Sequence, residues 1–299
     1  NHIGVPLTLL SIRSDAEIAV IEMGANHIGE IAGYCRYARP THGLITNCGK
    51  AHLEGFGSVE GVRKAKGELY DFLRGHQGGA FVMWDYEYLR TMSRGIPELI
   101  TYGAAEAVTT GRVTGTTPYM EITIDREPPL GVIHSRLIGS YNFPNILAAV
   151  SVGHYFNIAA GKIKSAIESY QPSNSRSQLL ERDSNKIILD AYNANPSSLQ
   201  AAIENLASLP GDGKILLIGA MAELGAESVA EHKKIVELIS RYPWKAVALV
   251  GGDFLKMPHP YLSFNNSAEA GEWFRKQQFR DSTVLIKGSR STAMEKVME

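Results

Sequence analysis

Three segments of this 299-residue chain place chemically capable side chains where packing alone would not ask for them. The first is Ser58-Val-Glu-Gly-Val-Arg-Lys-Ala-Lys-Gly-Glu-Leu-Tyr-Asp-Phe-Leu73, in which Val59, Val62, Leu69 and Leu73 recur at helical spacing. Lys66 completes that apolar stripe, four residues after Val62 and three before Leu69, while Arg63 and Lys64 project elsewhere. A buried ammonium is costly, so a lysine here is paired, shifted toward the neutral amine or chemically modified, unless its stem packs and its head snorkels to water. Fourteen residues upstream stands His52, in Ala51-His-Leu-Glu-Gly-Phe-Gly57, and thirty before that Glu22 follows an apolar run. A carboxylate, an imidazole and an amine at these positions are the start of an active site.

Composition narrows the class. The 30 basic and 31 acidic residues leave no net field to favour nucleic acid or a membrane surface as the main partner. No apolar run approaches the roughly 18 to 20 residues of a membrane span, and the start, Asn1-His-Ile-Gly-Val-Pro-Leu-Thr-Leu-Leu10, lacks the order of a signal peptide. The two cysteines, Cys35 and Cys48, make no metal or disulfide spacing, as expected in a reducing cytoplasm. The length suits two domains.

The elements needed to position these residues follow from periodicity. Glu17–Met23, His42–Thr46 and Gly79–Trp84 read as buried strands, with the Lys66 helix between the second and third as in a βαβ unit. Gly111–Ile124 and Leu130–Ile138 alternate as antiparallel strands. A helix opens near Pro144 and runs to about Phe156, and a shorter one spans Lys162–Ser169. The polar run Tyr170–Ser177 predicts the domain boundary, giving domains 1–172 and 173–299. Beyond it, strands at Lys186–Asp190, Lys214–Ile218, Ala246–Val250 and Thr283–Ile286 alternate with helices at Ser197–Ser208, Ser228–Arg241, Ala268–Gln277 and Thr292–Met298, a small Rossmann-like domain. In such sheets ligands gather at the carboxyl ends of the strands. That rule selects Asp190 with Asn193 and Asn195, Met221 with Glu223, Gly251–Asp253, and Lys287-Gly-Ser-Arg290.

In this order, the segments Asn1–Leu10, Glu22-Met-Gly-Ala-Asn-His-Ile-Gly-Glu-Ile31, His52–Gly57, Lys64-Ala-Lys-Gly-Glu68, Asn142-Phe-Pro-Asn145, Asp190-Ala-Tyr-Asn-Ala-Asn-Pro196, Met221-Ala-Glu-Leu-Gly225 and Lys287–Arg290 resemble the Mur ligases, ATP-dependent amide-bond formers of peptidoglycan synthesis. The resemblance runs from Asn1 to the last helix. It implies an α/β chain, a partial Mur-ligase central domain of mostly parallel sheet with a small antiparallel part, followed by a Rossmann-like C-terminal domain. The implied reaction adds D-Ala-D-Ala to UDP-MurNAc-tripeptide: ATP phosphorylates the carboxylate, and the dipeptide amine attacks the acyl-phosphate. The implied protein is cytoplasmic and monomeric.

The resemblance also implies roles. Glu22 and His52 would hold magnesium, with Lys66 as a carbamate, and Lys66 and His52 would be catalytic. Asn142 and Asn145 would contact the adenine of ATP, and Arg176 and Asp190 its phosphates and ribose. Asn193, Asn195, Lys287, Ser289 and Arg290 would receive the incoming substrate. Against these stand plainer readings: a strand-end carboxylate for Glu22, helix capping for Asn142 and Asn195, a solvated linker arginine for Arg176, and a solvated cap for the Lys287–Arg290 turn. Glu223 and His232 match a family segment without a role, and His2, His27 and His42 read as structural.

Two departures stand out. Tyr141 replaces the histidine that many relatives carry before the first Asn, and Ala191 replaces a serine. The family's Gly-rich phosphate loop ending in Lys-Thr is absent and is expected upstream of Asn1, together with a uridine-nucleotide-binding first domain; the chain by itself is then expected to be an inactive fragment. The rival readings are a ligase of the same fold that adds the third amino acid, for which the Asp-Asn-Pro-Arg stretch is missing, and a non-catalytic binding fragment.

Overall fold

In the computed structural model, which describes residues 1–50 and 52–299, the helices and strands follow the hydrophobic periodicity closely. Ala51 lies outside the described residues. The N-terminal part runs α1 (Gly4–Leu10), α2 (Glu30–Ala38), β1 (His42–Leu44), α3 (Leu53–Phe56), α4 (Val59–Gly75), β2 (Gly79–Met83), α5 (Glu87–Met92), β3 (Glu98–Gly103), β4 (Thr109–Gly115), β5 (Glu121–Arg126), β6 (Gly131–His134), α6 (Phe143–Tyr155) and α7 (Ala160–Ser169). The remainder runs β7 (Gln178–Arg182), β8 (Asn185–Asp190), α8 (Pro196–Ser208), β9 (Lys214–Gly219), α9 (Ser228–Ile239), β10 (Ala246–Val250), β11 (Leu262–Phe264), α10 (Ser267–Gln277) and β12 (Thr283–Lys287). Contacts divide the chain into two compact units: Asn1–Arg112 with Ile124–Gly131 and Pro144–Lys164, and Val113–Thr123 with Val132–Phe143 and Ser165–Glu299.

The first sheet has the order β1-β2-β3-β4-β5-β6, and β1, β2 and β3 run parallel. All five residues of β2 are buried, as a parallel strand covered on both faces requires. Helix α4 forms where the apolar stripe predicts it. Ser58 caps it by accepting the Gly61 N–H, and Val62, Ala65, Tyr70 and Leu73 are buried along one face.

One expectation fails here. Glu17–Met23 has a bend at Glu17 and otherwise no regular structure, and belongs to no strand of the described sheets. Its alternation survives in part: Ile21 and Met23 pack against Val5, Ile31, Tyr34 and Cys35, while Ile18 and Val20 are exposed. An alternating run becomes a strand only when a neighbour completes its ladder, and none of the described strands pairs with it.

The second sheet has the order β11-β10-β9-β12-β8-β7. The four central strands are parallel, β11 is parallel to β10, and β7 joins antiparallel to β8. Ile187, Leu217, Ala248, Val284 and Ile286 belong to its buried core. Because β12 lies between β8 and β9, the β8-to-β9 connection passes it and the chain returns to it only after β11, so the carboxyl ends of β8, β12 and β9 lie side by side, where ligands gather in such sheets.

The expected closing helix over Thr292–Met298 is instead two 3-10 turns, Arg290–Thr292 and Met294–Met298. Ala293 separates them at φ +46, a left-handed conformation that an α-helix cannot pass through. Met294 and Val297, three apart, still reach the core, which the three-residue turn permits.

Candidate active-site regions

In the N-terminal region, three of the recognised motifs are interlocked through Glu68 and Gly55, and Lys66 is tied to Asn47. The Lys66 Nζ donates to the Asn47 carbonyl oxygen at 2.6 Å. The side chain is half-buried, and burial holds its pKa below that of a free lysine, only partly offset by the neighbouring Cys48. Two residues on, Glu68 reaches from α4 to the start of α2, accepting the N–H groups of Gly29 at 2.5 Å and Ala32 at 2.9 Å. A carboxylate there satisfies first-turn donors that the helix cannot.

Glu30 ties down the preceding loop by accepting the N–H groups of Asn26 and His27. Gly55 of α3 then seats against that same loop: a Cβ on it would lie 2.1 Å from the Asn26 carbonyl oxygen. No side chain larger than glycine's fits. The Glu22–Ile31, His52–Gly57 and Lys64–Glu68 segments are thus held together by Gly55, Glu68 and backbone donors.

His52 opens α3 at φ +51, with its ring edge-on to Phe56. Glu22 is exposed on the Glu17–Met23 segment. Among the described residues no three His, Cys, Asp or Glu side chains come together as a ready metal site.

In the unit that holds the second sheet, the carboxyl edge brings Asp190 and Lys287 face to face. They are register partners on β8 and β12, with Nζ 2.6 Å from Oδ2, and the lysine side chain is only 3% exposed. Lys287 also donates to the Asn193 carbonyl, and Asp190 accepts the Ser177 N–H at 3.1 Å. Expected as a substrate contact, Lys287 in this structure spends its donors on Asp190 and the Asn193 loop.

Arg176 stacks on the Tyr192 ring at 3.7 Å, so it is fixed at this edge rather than trailing as a linker side chain. Asn195 caps α8 in a reciprocal box with Ser198. Asn142 sits in a 3-10 turn ahead of α6 and donates its amide to the Ile138 carbonyl. Asn145 lies in the first turn of α6. Tyr141 is held with its hydroxyl 3.3 Å from Ser177 Oγ, and burial together with Asp190 pushes the phenol up to about 12.

The ends of β9 and β12 are joined. Ser289 donates both Oγ–H, at 2.6 Å, and N–H, at 3.2 Å, to the Ala220 carbonyl. Gly219 and Gly288 allow this approach, since a Cβ on either would meet Thr292 Oγ1 at 2.5 Å. Arg290 pairs with Glu295 at 3.1 Å. Sequence reading missed Asn47, Ser177 and the anchoring role of Glu68. A carbonyl acceptor and a backbone donor carry no side-chain signature, but Glu68 sits two residues from Lys66 in a recognised motif.

Comparison with known proteins gives these regions a common origin. Residues 1–153 match the Mur ligase middle domain, and residues 175–290 match the domain described as Mur ligase, glutamate ligase domain. The UDP-N-acetylmuramoyl-tripeptide–D-alanyl-D-alanine ligase of Escherichia coli K12 is 34% identical over 319 residues, an alignment that covers 100% of this chain and 68% of that protein. The corresponding Bacillus subtilis ligase is 34% identical over 242 residues, covering 80% of this chain and 52% of its own length. Among solved structures, MurF from Acinetobacter baumannii superposes with a TM-score of 0.86 at 27% identity, over 98% of this chain and 66% of that one. MurF from Thermotoga maritima in complex with ADP shares the fold, with a TM-score of 0.88 at 24% identity. The chain therefore spans about two thirds of the length of such relatives. Matching both domains in order and aligning with a ligase from end to end, it belongs to the Mur ligase family.

Proposed function

We propose that this chain forms the ATP-handling and amine-receiving parts of a peptidoglycan-precursor ligase that joins D-Ala-D-Ala to UDP-MurNAc-tripeptide at the expense of ATP. The observation that carries this reading is the half-buried Lys66 amine, held by the Asn47 carbonyl in a chain that matches the Escherichia coli ligase over its whole length. In the N-terminal region, Glu22, His52 and Lys66 would hold magnesium, the lysine as a carbamate formed by carbon dioxide on its neutral amine. What supports this is the burial of Lys66, which favours the neutral amine that carbon dioxide needs; a carbamate there would supply oxygen donors suited to a hard cation. A cation bound by these residues would supply neutralisation of phosphate charge.

The chain's own groups do the rest. Asn142 and Asn145 meet the adenine, and Arg176 and Asp190 the phosphates and ribose. Arg176 is pre-positioned by Tyr192, and Asp190 by Lys287 and the Ser177 N–H. Ser289 and Arg290 face the incoming dipeptide, whose carboxylate suits a guanidinium. Lys287, Asn193 and Asn195 shape that edge: the lysine fixes the Asn193 loop, and Asn195 fixes the start of α8. Because little covalent work falls to the protein, alignment and charge neutralisation account for catalysis. The two free, buried cysteines accord with a cytoplasmic site of action, and no helix among the described residues is long and apolar enough to cross a membrane.

The test is a chimera in which residues 1–299 replace the matching part of the Escherichia coli ligase. It is expected to ligate D-Ala-D-Ala to UDP-MurNAc-tripeptide with ATP, and not diaminopimelate or lysine to the dipeptide precursor. The opposite selectivity, or a folded chimera that performs neither reaction, overturns the reading.

A further inference from the structure

His232 is fully buried in α9, with both ring nitrogens committed. Its Nε2 lies 3.0 Å from the Met221 N–H and its Nδ1 2.7 Å from the Ser228 carbonyl. An N–H can only donate and a carbonyl can only accept, so the ring is the neutral tautomer with its proton on Nδ1. The edge-on Phe254 ring, centroids 4.7 Å apart, closes the site against water and against any second arrangement of the imidazole.

The donor that His232 satisfies belongs to the loop leaving the carboxyl end of β9. Just before it, the Ala220 N–H goes to the Val250 carbonyl, and the Ala220 carbonyl takes both donors of Ser289. Met221 is thus a backbone donor that ties this loop to the unit next to the β9–β12 junction. Two residues later Glu223 stands exposed at φ +61, a left-handed conformation that a non-glycine residue keeps only where its surroundings impose it. The same turn is joined through Ser289 to Arg290. Ordinary core packing would call for a leucine at position 232; what a leucine cannot do is accept the Met221 N–H.

We infer that His232 is a positioning residue, which holds the Met221–Glu223 loop beside Ser289 and Arg290 in the conformation that receives the zwitterionic dipeptide. The inference rests on the ligase reading for the identity of that ligand, but the lock itself does not.

Two measurements separate these. In the 299-residue chain, hydrogen exchange at the Met221 amide is compared among the native protein, H232Q, whose side-chain oxygen can replace Nε2 as acceptor, and H232L. Protection of at least about 100-fold is expected in the first two and its loss in H232L. In the ligase chimera, H232L is expected to raise KM for D-Ala-D-Ala roughly tenfold, the loss of about one hydrogen bond, with KM for ATP and kcat within about twofold and with H232Q restoring the native value. If H232L fails to fold, H232N, whose acceptor falls short of Met221, takes its place. An amide still protected in H232L, or one released with no change in the dipeptide KM, overturns the inference. A chimera inactive with His232 in place counts against the ligase reading alone, and the Met221 amide then decides the lock.

Discussion

A lysine on an apolar helix stripe is informative because its energetics depend on its protonation state. Lys66 is half-buried, donates one hydrogen bond to a carbonyl, and sits beside the Cys48 thiol rather than a carboxylate. Desolvation therefore prevails and the amine loses its proton at lower pH than a surface lysine does. Only the neutral amine reacts with carbon dioxide, so the carbamate should form on Lys66 at a pH where exposed lysines remain protonated. With carbon-13-labelled bicarbonate, one lysine carbamate resonance, distinguished from that of the α-amino group, is expected to emerge before those of all other lysines on raising pH and to be missing in K66R. A spectrum in which K66R keeps that first resonance would refute the assignment. The sequence disclosed this residue because a cation in an apolar period breaks a pattern. It did not disclose Asn47, whose contribution is a backbone carbonyl, nor the engagement of Lys287 by Asp190, residues 97 positions apart that only strand register brings together. His232 was visible as a family match without a role, since its partner is again a backbone N–H.

At the scale of elements, the sequence succeeded where burial on both faces made the pattern unambiguous, as in β2 and β9, and missed elements that lie half-exposed or short. Strand β7 carries Gln178, Glu181 and Arg182 on an antiparallel edge, and β11 has three residues. The Glu17–Met23 run shows the converse failure, a period of two without a ladder. The edge between β8 and β12 yields a quantitative expectation. Lys287 is almost wholly buried and Asp190 largely so, hence removing either charge strands the other. D190N is expected to lower unfolding free energy in urea by about 3–5 kcal/mol, whereas D190L/K287L, leaving no stranded charge, should cost clearly less than the sum of its single changes. Additive single effects would show that the pair is solvated and not coupled. By the same method N195A should cost about 1 kcal/mol, the worth of an N-cap, because Asn195 satisfies the Ser198 N–H at the start of α8.

For the whole molecule, charge and apolar exposure act together. The net charge is -1 at pH 7 and the isoelectric point is about 6.8, so near neutrality electrostatic repulsion between molecules is weak. Exposed apolar side chains are concentrated at one end of the sequence: Ile3, Leu7, Leu10, Ile12, Ile18, Val20 and Ile28 all fall within the first 28 residues. Weak repulsion combined with a local run of apolar surface favours non-specific association. Solubility of the 299-residue chain is therefore expected to pass through a minimum close to pH 6.8 and to rise on either side. The pH effect and the surface effect can be separated with I18E/V20E, which removes apolar exposure and shifts the net charge by two units to -3. Neither side chain is buried, so the fold should be retained, and solubility at pH 6.8 should rise beyond that of a control in which two glutamates replace distant exposed polar residues. A control that performs equally well would assign the minimum to charge alone; a larger gain for I18E/V20E assigns it to the segment that alternates like a strand without pairing as one.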